Sequence, residues 1–174
     1  MGTIQRNSDW EKLTSVKKGN IGEQKVQEFL ESKDFVCYQA VTEKAHPFDF
    51  LAVKDKTLAI AAEVKTKSLM TYYQATGINF DSFIYYAEFS KNHNINIFIF
   101  FVDEALEQIY GNWLHVLEQP CLVNGRTFPH NITTRHGKKI RIYPYCKMKI
   151  ITNLDKGTVE QLKKLSARNY EYPK

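Results

Sequence analysis

An apolar run that ends in two opposite charges constrains the fold more than any other part of the chain. The run is Ala59-Ile60-Ala61-Ala62, and Glu63-Val64-Lys65 follows it directly. Burying an acid and a lysine at the end of a hydrophobic strand costs free energy unless both charges are paired. The alternation of a strand places Leu58, Ile60, Ala62 and Val64 on one face and Ala59, Ala61, Glu63, Lys65 and Lys67 on the other. The pattern therefore predicts a core strand whose charged end opens into a cleft.

A second acid precedes this strand at hairpin distance. Asp49 stands fourteen residues before Glu63, in a segment over 47–53 that also reads as a strand. The polar residues Lys54-Asp55-Lys56 between the two segments predict a tight turn. Such a hairpin would place Asp49 roughly opposite residues 61–63, so that the two carboxylates converge.

Two converging carboxylates predict a cation between them. They repel each other unless one takes a proton or a cation bridges them. Oxygen ligands with water in the remaining positions favour Mg²⁺ or Mn²⁺. Lys65, on the same face as Glu63, would orient or help deprotonate a metal-bound water and stabilise a phosphoryl transition state. The alternative is a salt bridge between Asp49 and Lys65, with Glu63 solvated.

The remaining periodicities predict a mixed α/β chain. No glycine-rich turn follows a first strand, which argues against a doubly wound nucleotide-binding fold. Hydrophobic residues on both faces of 95–102 predict a central strand covered by helices. The other predicted elements are a helix over 14–32, a strand over 35–41, a helix from Asn79 or Asp81 to Lys91 with Phe83, Ile84, Ala87 and Tyr86 inward, a strand over 109–117, antiparallel strands over 140–143 and 148–151, and a closing helix around Val159, Leu162 and Leu165.

The net charge of +5 comes from one segment of the chain. Residues 119–154 contain no Asp or Glu, whereas the rest of the chain carries all 19 acids and fewer basic residues than that. Such a segment is either a solvated basic hairpin or a surface for a polyanion such as DNA. Tyr143 and Tyr145, which lie between the charges, would stack on bases. The residues predicted to contact nucleic acid are Lys67, Tyr72, Arg135, Lys138, Lys139, Arg141, Lys147 and Lys149.

These residues together resemble a known nuclease superfamily. Pro47-x-Asp49 followed by Glu63-Val64-Lys65, with Glu23 on a preceding helix, resembles the PD-(D/E)XK, or restriction-endonuclease-like, nucleases. The run Gly19-x-x-Gly22-Glu23 is similar to the start of Holliday-junction resolvases and of small phage or mobile-element nucleases. One residue separates Pro47 from Asp49, whereas the name motif has the two adjacent.

The resemblance implies a fold, a metal and a set of site residues. The fold would be a mixed central sheet flanked by helices, with an αβββαβ core over about 14–102. A β-rich basic extension with a closing helix would follow over 103–174, all within one domain, 1–174. Asp49, Glu63 and the backbone carbonyl of Val64 would bind Mg²⁺ or Mn²⁺, Glu23 would hold a second metal or its water shell, and Lys65 would be the catalytic lysine. The implied activity is DNA endonuclease, either nicking or structure-specific, and a homodimer is expected by analogy.

Composition limits the remaining classes of function. No apolar run approaches the length of a membrane span, and the three cysteines are scattered and odd in number, which predicts a cytoplasmic protein with reduced thiols. Two alternatives to an active nuclease stay open. One is a nuclease fold that binds or recruits DNA without cleaving it. The other is an interaction domain with no nucleic-acid role.

Overall fold

The chain folds around a six-stranded mixed sheet with helices on both faces. The computed structural model describes residues 13–39, 48–55, 58–70 and 72–168. Within these ranges the helices are α1 (Thr14–Glu31), α2 (Phe80–His93), α3 (Leu114–Leu117) and α4 (Lys156–Arg168). The strands are β1 (Val36–Tyr38), β2 (Phe50–Lys54), β3 (Leu58–Thr66), β4 (Ala75–Asn79), β5 (Asn96–Asp103), β6 (Gln108–Trp113), β7 (Cys121–Val123), β8 (Arg126–Phe128), β9 (His130–Thr133), β10 (Lys139–Pro144) and β11 (Lys149–Asn153).

The order of the main sheet confirms the predicted fold class. Its strands run β1-β2-β3-β5-β6-β11, and β3 and β5 are its parallel pair, while the other neighbours are antiparallel. Reading along the chain, α1, β1, β2, β3, α2 and β5 give the αβββαβ order. Every residue of β5 except Asn96 is buried, as expected for a central strand.

The two faces of β3 belong to two separate hydrophobic clusters. Ile60, Ala62 and Val64 pack with residues of α1 and α4 on one side of the sheet. Ala61 packs on the other side with residues of α2 and α3. The predicted division of this strand into two faces is therefore confirmed, and it directs Glu63 and Lys65 toward the side of α2.

A second, three-stranded sheet was not predicted. Its order is β4-β10-β9, and β7 pairs with β8 in a separate hairpin. The segments 140–143 and 148–151 are antiparallel strands as predicted, but they lie in different sheets, because β10 pairs with β4 and β9 whereas β11 pairs with β6. β4 was not predicted because Gly77, in its centre, has no side chain to mark a strand face. A side chain at this position would overlap the backbone carbonyl of Arg141.

Smaller differences concern the ends and the inward faces of elements. The strand predicted over 109–117 ends at Trp113, because its last four residues form α3. On α2, Tyr86 is 5% exposed but Ile84 is 40% exposed, so the inward assignment of Ile84 is wrong. Among the described helices none is long and apolar enough to cross a membrane.

Candidate functional site

The β2–β3 hairpin brings Asp49 beside the charged end of β3. Phe50 pairs with Ala62, and the Asp49 N–H donates to the Ala62 carbonyl oxygen over 3.0 Å. Because β2 begins at Phe50, β3 runs on past it without a strand on that side. There the Val64 N–H donates to Asp49 Oδ2 over 2.6 Å. The backbone thus fixes the Asp49 carboxylate at the level of Glu63.

Glu63 is a buried carboxyl group with several polar neighbours. It is 3% exposed, its Oε1 accepts a hydrogen bond from Lys65 Nζ, and the Tyr86 hydroxyl lies against it. Burial raises the pKa of Glu63 to about 7, and the nearby Asp49 charge raises it too, while Lys65 and Tyr86 act in the opposite direction. The alternative of a solvated Glu63 beside an Asp49–Lys65 salt bridge is therefore wrong, since Glu63 is the buried partner of Lys65.

Lys65 lies within the field of three carboxylates. Burial lowers its pKa, but Glu63, Asp49 and Glu23 raise it, and the net result is a pKa above the ordinary value. Lys65 therefore stays protonated at neutral pH. The three acids chosen from the sequence therefore all lie within electrostatic range of Lys65.

A close contact between α1 and β3 places Glu23 in this group. Gly22 is buried, and a Cβ at that position would overlap the Thr66 side-chain hydroxyl. Only a glycine allows α1 to approach the end of β3 this closely. Glu23, the next residue, is thereby held near Lys65.

The donor atoms present fit a hard divalent cation. Carboxylate oxygens of Asp49 and Glu63 are the ligands that Mg²⁺ and Mn²⁺ prefer. The Ala62 carbonyl faces β2, so by strand alternation the Val64 carbonyl points to the same side, where Asp49 lies. The concentration of acids around one ammonium group is also a place where an added positive charge is favourable.

The side chains are not arranged as a ready-made metal cage. Among the described residues, no three His, Cys, Asp or Glu side chains lie close enough to hold a metal as a group. The contacts explain this arrangement: Glu63 faces Lys65, and Asp49 accepts the Val64 N–H. A metal site at this position therefore depends on two carboxylates, a backbone carbonyl and water.

Two contributors to the site were missed by the sequence analysis. Tyr86 was expected only to face inward, yet its hydroxyl interacts with Glu63 and with Ser82 one helical turn earlier. Burial and the Glu63 charge raise the pKa of Tyr86, so it stays a hydrogen-bond donor. Thr66 was not singled out either. The i, i+3 spacing of Phe83 and Tyr86 indicates that both face inward, but it does not indicate that Tyr86 contacts Glu63.

Several residues predicted to contact nucleic acid instead have internal roles. The Lys67 ammonium donates to the Gly77 carbonyl and lies 6.0 Å from the centre of the Phe101 ring. Burial and the neighbouring Lys65 lower the pKa of Lys67 to about 8. Lys147 donates to the carbonyl oxygens of Val116, over 3.0 Å, and Gln119.

Arg141 and the two tyrosines are likewise used inside the protein. The Arg141 guanidinium binds the Glu118 carboxylate through both Nε and Nη2. Tyr143 is fully buried and donates to Glu118 Oε1 over 2.8 Å, and Tyr145 donates to Gln108 over 3.1 Å. Stacking of Tyr143 on bases is therefore excluded by its burial. Glu118 lies one residue before segment 119–154, so the charge count of that segment did not include the acid that pairs with Arg141.

The other predicted contacts lie on the surface, in separate places. Arg135, Lys138 and Lys139 are exposed around the turn between β9 and β10. Lys149 is exposed on β11, which borders the main sheet three strands away from β3. Tyr72 is 80% exposed, just before β4. Pro47 of the motif lies outside the described residues.

Among solved structures that resemble this chain are two nucleases. One is Hjc, a Holliday junction resolvase from the archaeal hyperthermophile Archaeoglobus fulgidus, with 16% identity and a TM-score of 0.47, covering 71% of this chain and 88% of that chain. The other is D212, a nuclease from a fusselovirus, with 11% identity and a TM-score of 0.47, covering 92% of this chain and 98% of that chain. No family model matches the sequence, and no curated protein matches it. The fold assignment rests on the element order and strand pairing of this chain.

Proposed function

We propose that this protein is a divalent-metal-dependent endonuclease that hydrolyses phosphodiester bonds in DNA. The observation that supports this function best is the meeting of Asp49, Glu63, Lys65 and Glu23 at the open end of β3. A purely structural ion pair would need one acid for one lysine. Three carboxyl groups surround Lys65, and once Glu63 is deprotonated they carry negative charge that a divalent cation would balance.

In this proposal each residue has a separate role. Asp49, Glu63 and the Val64 carbonyl would hold Mg²⁺ or Mn²⁺, and Glu23 would bind a second ion or its water. When bound, the cation supplies a nucleophilic water of lowered pKa and neutralises charge on the phosphate. Lys65, which stays protonated, would orient that water and stabilise the charge that develops on the phosphoryl oxygens.

Two features of Glu63 bear on how the site would work. Because its pKa lies at about 7, the carboxyl group must lose a proton before it can serve as a ligand. The Tyr86 hydroxyl would hold the carboxyl group in place during that change. Activity should therefore rise with pH through neutrality.

The substrate would approach over exposed basic residues of the second sheet. Arg135, Lys138 and Lys139, at the end of the second sheet, would contact the DNA backbone. Lys149, on the far edge of the main sheet, would reach only a longer or bent duplex, or DNA held by a second copy of the chain. Double-strand cutting requires two active sites, so we include a homodimer in the proposal. The free thiols Cys37, Cys121 and Cys146 are compatible with a cytoplasmic location.

The test is cleavage of supercoiled plasmid, linear duplex and four-way-junction DNA in Mg²⁺ or Mn²⁺. The wild type should nick or linearise at least one of these substrates, while Asp49→Ala and Glu63→Ala should not. An Arg135→Ala control should keep the cleavage chemistry and bind DNA more weakly. Undiminished cutting by both acid variants would reject the site. Cutting in excess EDTA would reject the metal.

A second candidate function is DNA binding without cleavage. It is favoured by the direct Lys65–Glu63 contact and by the lack of a three-acid metal group among the described residues. Under this alternative, charge reversal at Lys138 and Lys139 would abolish DNA binding, and the Asp49 and Glu63 variants would behave as the wild type does. The plasmid assay combined with gel retardation separates the two functions.

A further inference from the structure

An exposed tyrosine next to an arginine follows the charged end of β3 by seven residues. Tyr72 is 80% exposed, and its ring meets Tyr73 edge to face, with centroids 4.9 Å apart and planes at 87°. The Arg126 guanidinium carbon lies 5.0 Å from the Tyr73 ring centre and 5.8 Å from that of Tyr72. We refer to Tyr72, Tyr73 and Arg126 together as the tyrosine platform.

We propose that the tyrosine platform stacks an unpaired base of the DNA strand that enters the site. The proposal rests on the proposed nuclease function and narrows its substrate to DNA that carries a single-stranded or splayed segment. A base in an intact duplex has its faces covered by its neighbours, so an aromatic side chain on a protein surface stacks only on an unstacked base.

The platform is supported from behind by a series of aromatic contacts. Tyr73 lies 6.1 Å from the His130 ring, and His130 lies 4.8 Å from the Phe128 ring. Phe128 is 2% exposed and belongs to a small core with Ala75 and Ile142. Tyr72 therefore projects from a rigid base, and stacking on it would cost less conformational entropy than stacking on an isolated surface side chain.

Arg126 supplies a positive charge beside the ring. It is exposed, and within the described ranges no ion pair with a carboxylate is found for it. Its contacts are instead with the two tyrosine rings. Aromatic faces combined with an arginine are the features by which proteins hold single strands: the ring stacks on the base, and the guanidinium attracts the adjoining phosphate.

Backbone N–H groups at positions 67, 69 and 70 hold the described part of the segment between the site and the platform. The Lys67 N–H donates to the Val102 carbonyl over 3.0 Å, and the Leu69 N–H donates to the buried Asp103 carboxylate over 2.8 Å. The Met70 N–H then donates to the Ala75 carbonyl over 2.8 Å. Seven residues span at most about 25 Å. The platform therefore lies within about one helical turn of duplex DNA, about 34 Å, from Lys65.

Exposure alone would not support this proposal, because single exposed aromatic residues are normal on protein surfaces. Tyr38 and Tyr85 are 58% and 52% exposed, and no arginine stacks on either ring within the described part of the chain. Tyr72 differs in having both the aromatic support and the arginine. The exposed positive charge of Arg126 beside the ring suits the phosphates of a nucleic-acid strand.

The test is binding of a labelled single strand to the full chain in EDTA, so that no cleavage occurs. A short oligothymidylate is compared with a strand of the same length and charge that lacks bases, by fluorescence anisotropy. The wild type should bind the base-bearing strand at least about fivefold more tightly, and Tyr72→Ala should remove that preference, since one stacked base contributes about 1–3 kcal/mol. Tyr85→Ala is the matched control and should keep the preference.

A second readout separates stacking from charge. Arg126→Gln should weaken both strands by a similar factor, because it removes a phosphate contact. A fluorescent purine analogue in the strand should be quenched by the wild type and not by Tyr72→Ala. Equal affinity of the wild type for the two strands, or equal effects of Tyr72→Ala and Tyr85→Ala, would overturn the proposal.

Failure of the platform can be told apart from failure of the nuclease proposal. The two proposals have separate readouts, because base-dependent binding is measured in EDTA whereas cleavage is measured with the divalent cation present. Lack of cleavage by a wild type that still shows base-dependent binding would overturn the nuclease function and leave the platform in place. Normal metal-dependent cleavage without base-dependent binding would overturn the platform alone.

Discussion

Charged side chains gather at the end of β3 but scatter over the basic segment 119–154, although the basic segment is far richer in charge. Asp49, just before β2, lies beside Glu63 and Lys65 at the end of β3. Asp49 and Lys65 shift the pKa of Glu63, and Asp49 and Glu63 shift that of Lys65. In the basic segment, Arg141 and Lys147 are used internally, and Lys149 lies on a different sheet from Lys139.

The difference shows which kind of sequence pattern predicts a site. Residues 63 and 65 share a strand face by geometry, and a short hairpin fixes what lies opposite them. A run of like charges has no such constraint, since its members can alternate between faces, enter different sheets or pair with an acid outside the run. Arg141 is an example, because it pairs with Glu118, an acid outside the run.

The rate of cleavage should differ most between variants of Lys65 and Lys67, two lysines on the same face of one segment. Lys65→Met should lower the rate of plasmid cleavage by about a hundred- to a thousandfold, because it removes the charge proposed to stabilise the transition state. Lys67→Met should leave the rate near that of the wild type and lower the free energy of unfolding by about 1–3 kcal/mol, because the buried Gly77 carbonyl loses its donor. Equal losses of cleavage in both variants would contradict the separate roles.

A pH-dependent loss of stability should come from Glu63. Its pKa in the folded protein is about 7, above the ordinary value of 4.5, so the folded chain binds more protons than the unfolded chain between these values. The stability that this proton provides is full below about pH 4.5 and is lost as the pH rises toward 7. The loss should approach about 3 kcal/mol in the metal-free protein.

Urea unfolding in EDTA across this pH range measures that loss. Glu63→Gln should flatten the pH dependence, because the amide remains neutral throughout. If the wild type and Glu63→Gln showed parallel curves, the raised pKa of Glu63 would be wrong.

Two arginine variants test which charges of segment 119–154 stabilise the fold and which bind DNA. Arg141→Gln should lower the free energy of unfolding by about 1.5–3 kcal/mol, because Glu118 loses a charged two-point partner. Arg135→Gln, at an exposed turn, should change stability by less than about 0.5 kcal/mol. It should instead reduce the salt dependence of DNA binding by about 0.9 in the log–log slope. A stability loss in Arg135→Gln with none in Arg141→Gln would contradict these separate roles. Charge density along the sequence would then predict the DNA contacts better than the structure does.

Two glycines of α1 should differ in how their replacement by alanine changes the stability of the protein. Gly22→Ala should cost about 1–3 kcal/mol, because the new methyl group overlaps Thr66. It should also slow cleavage, since α1 carries Glu23. Gly19→Ala meets nothing nearer than 3.9 Å and should stabilise the helix by about 0.5–1 kcal/mol. Thermal unfolding of the two variants gives the comparison, and equal shifts would contradict the close contact between α1 and β3.

The β2–β3 hairpin, α1 and β5 could be predicted because their patterns are local. The period of two in 58–65 and the helical stripe of 14–32 each depend on residues close in sequence. β4 and the separation of β10 from β11 could not be predicted, because Gly77 and the short turn Tyr145–Lys147 have meaning only through distant partners. The contact of Tyr86 with Glu63 was missed for the same reason, since it joins α2 to β3 across the sheet face.

In the proposed function Asp49, just before β2, and Glu63, in β3, hold one divalent cation together. The most direct measurement is titration of the protein with Mn²⁺ at a pH above 7, where Glu63 is deprotonated, followed by electron paramagnetic resonance or calorimetry. We expect saturable binding by the wild type, and Asp49→Asn and Glu63→Gln should each weaken it by at least about tenfold. Arg135→Gln should bind Mn²⁺ as the wild type does. Binding that is unchanged in both acid variants, or no binding by the wild type, would contradict the account.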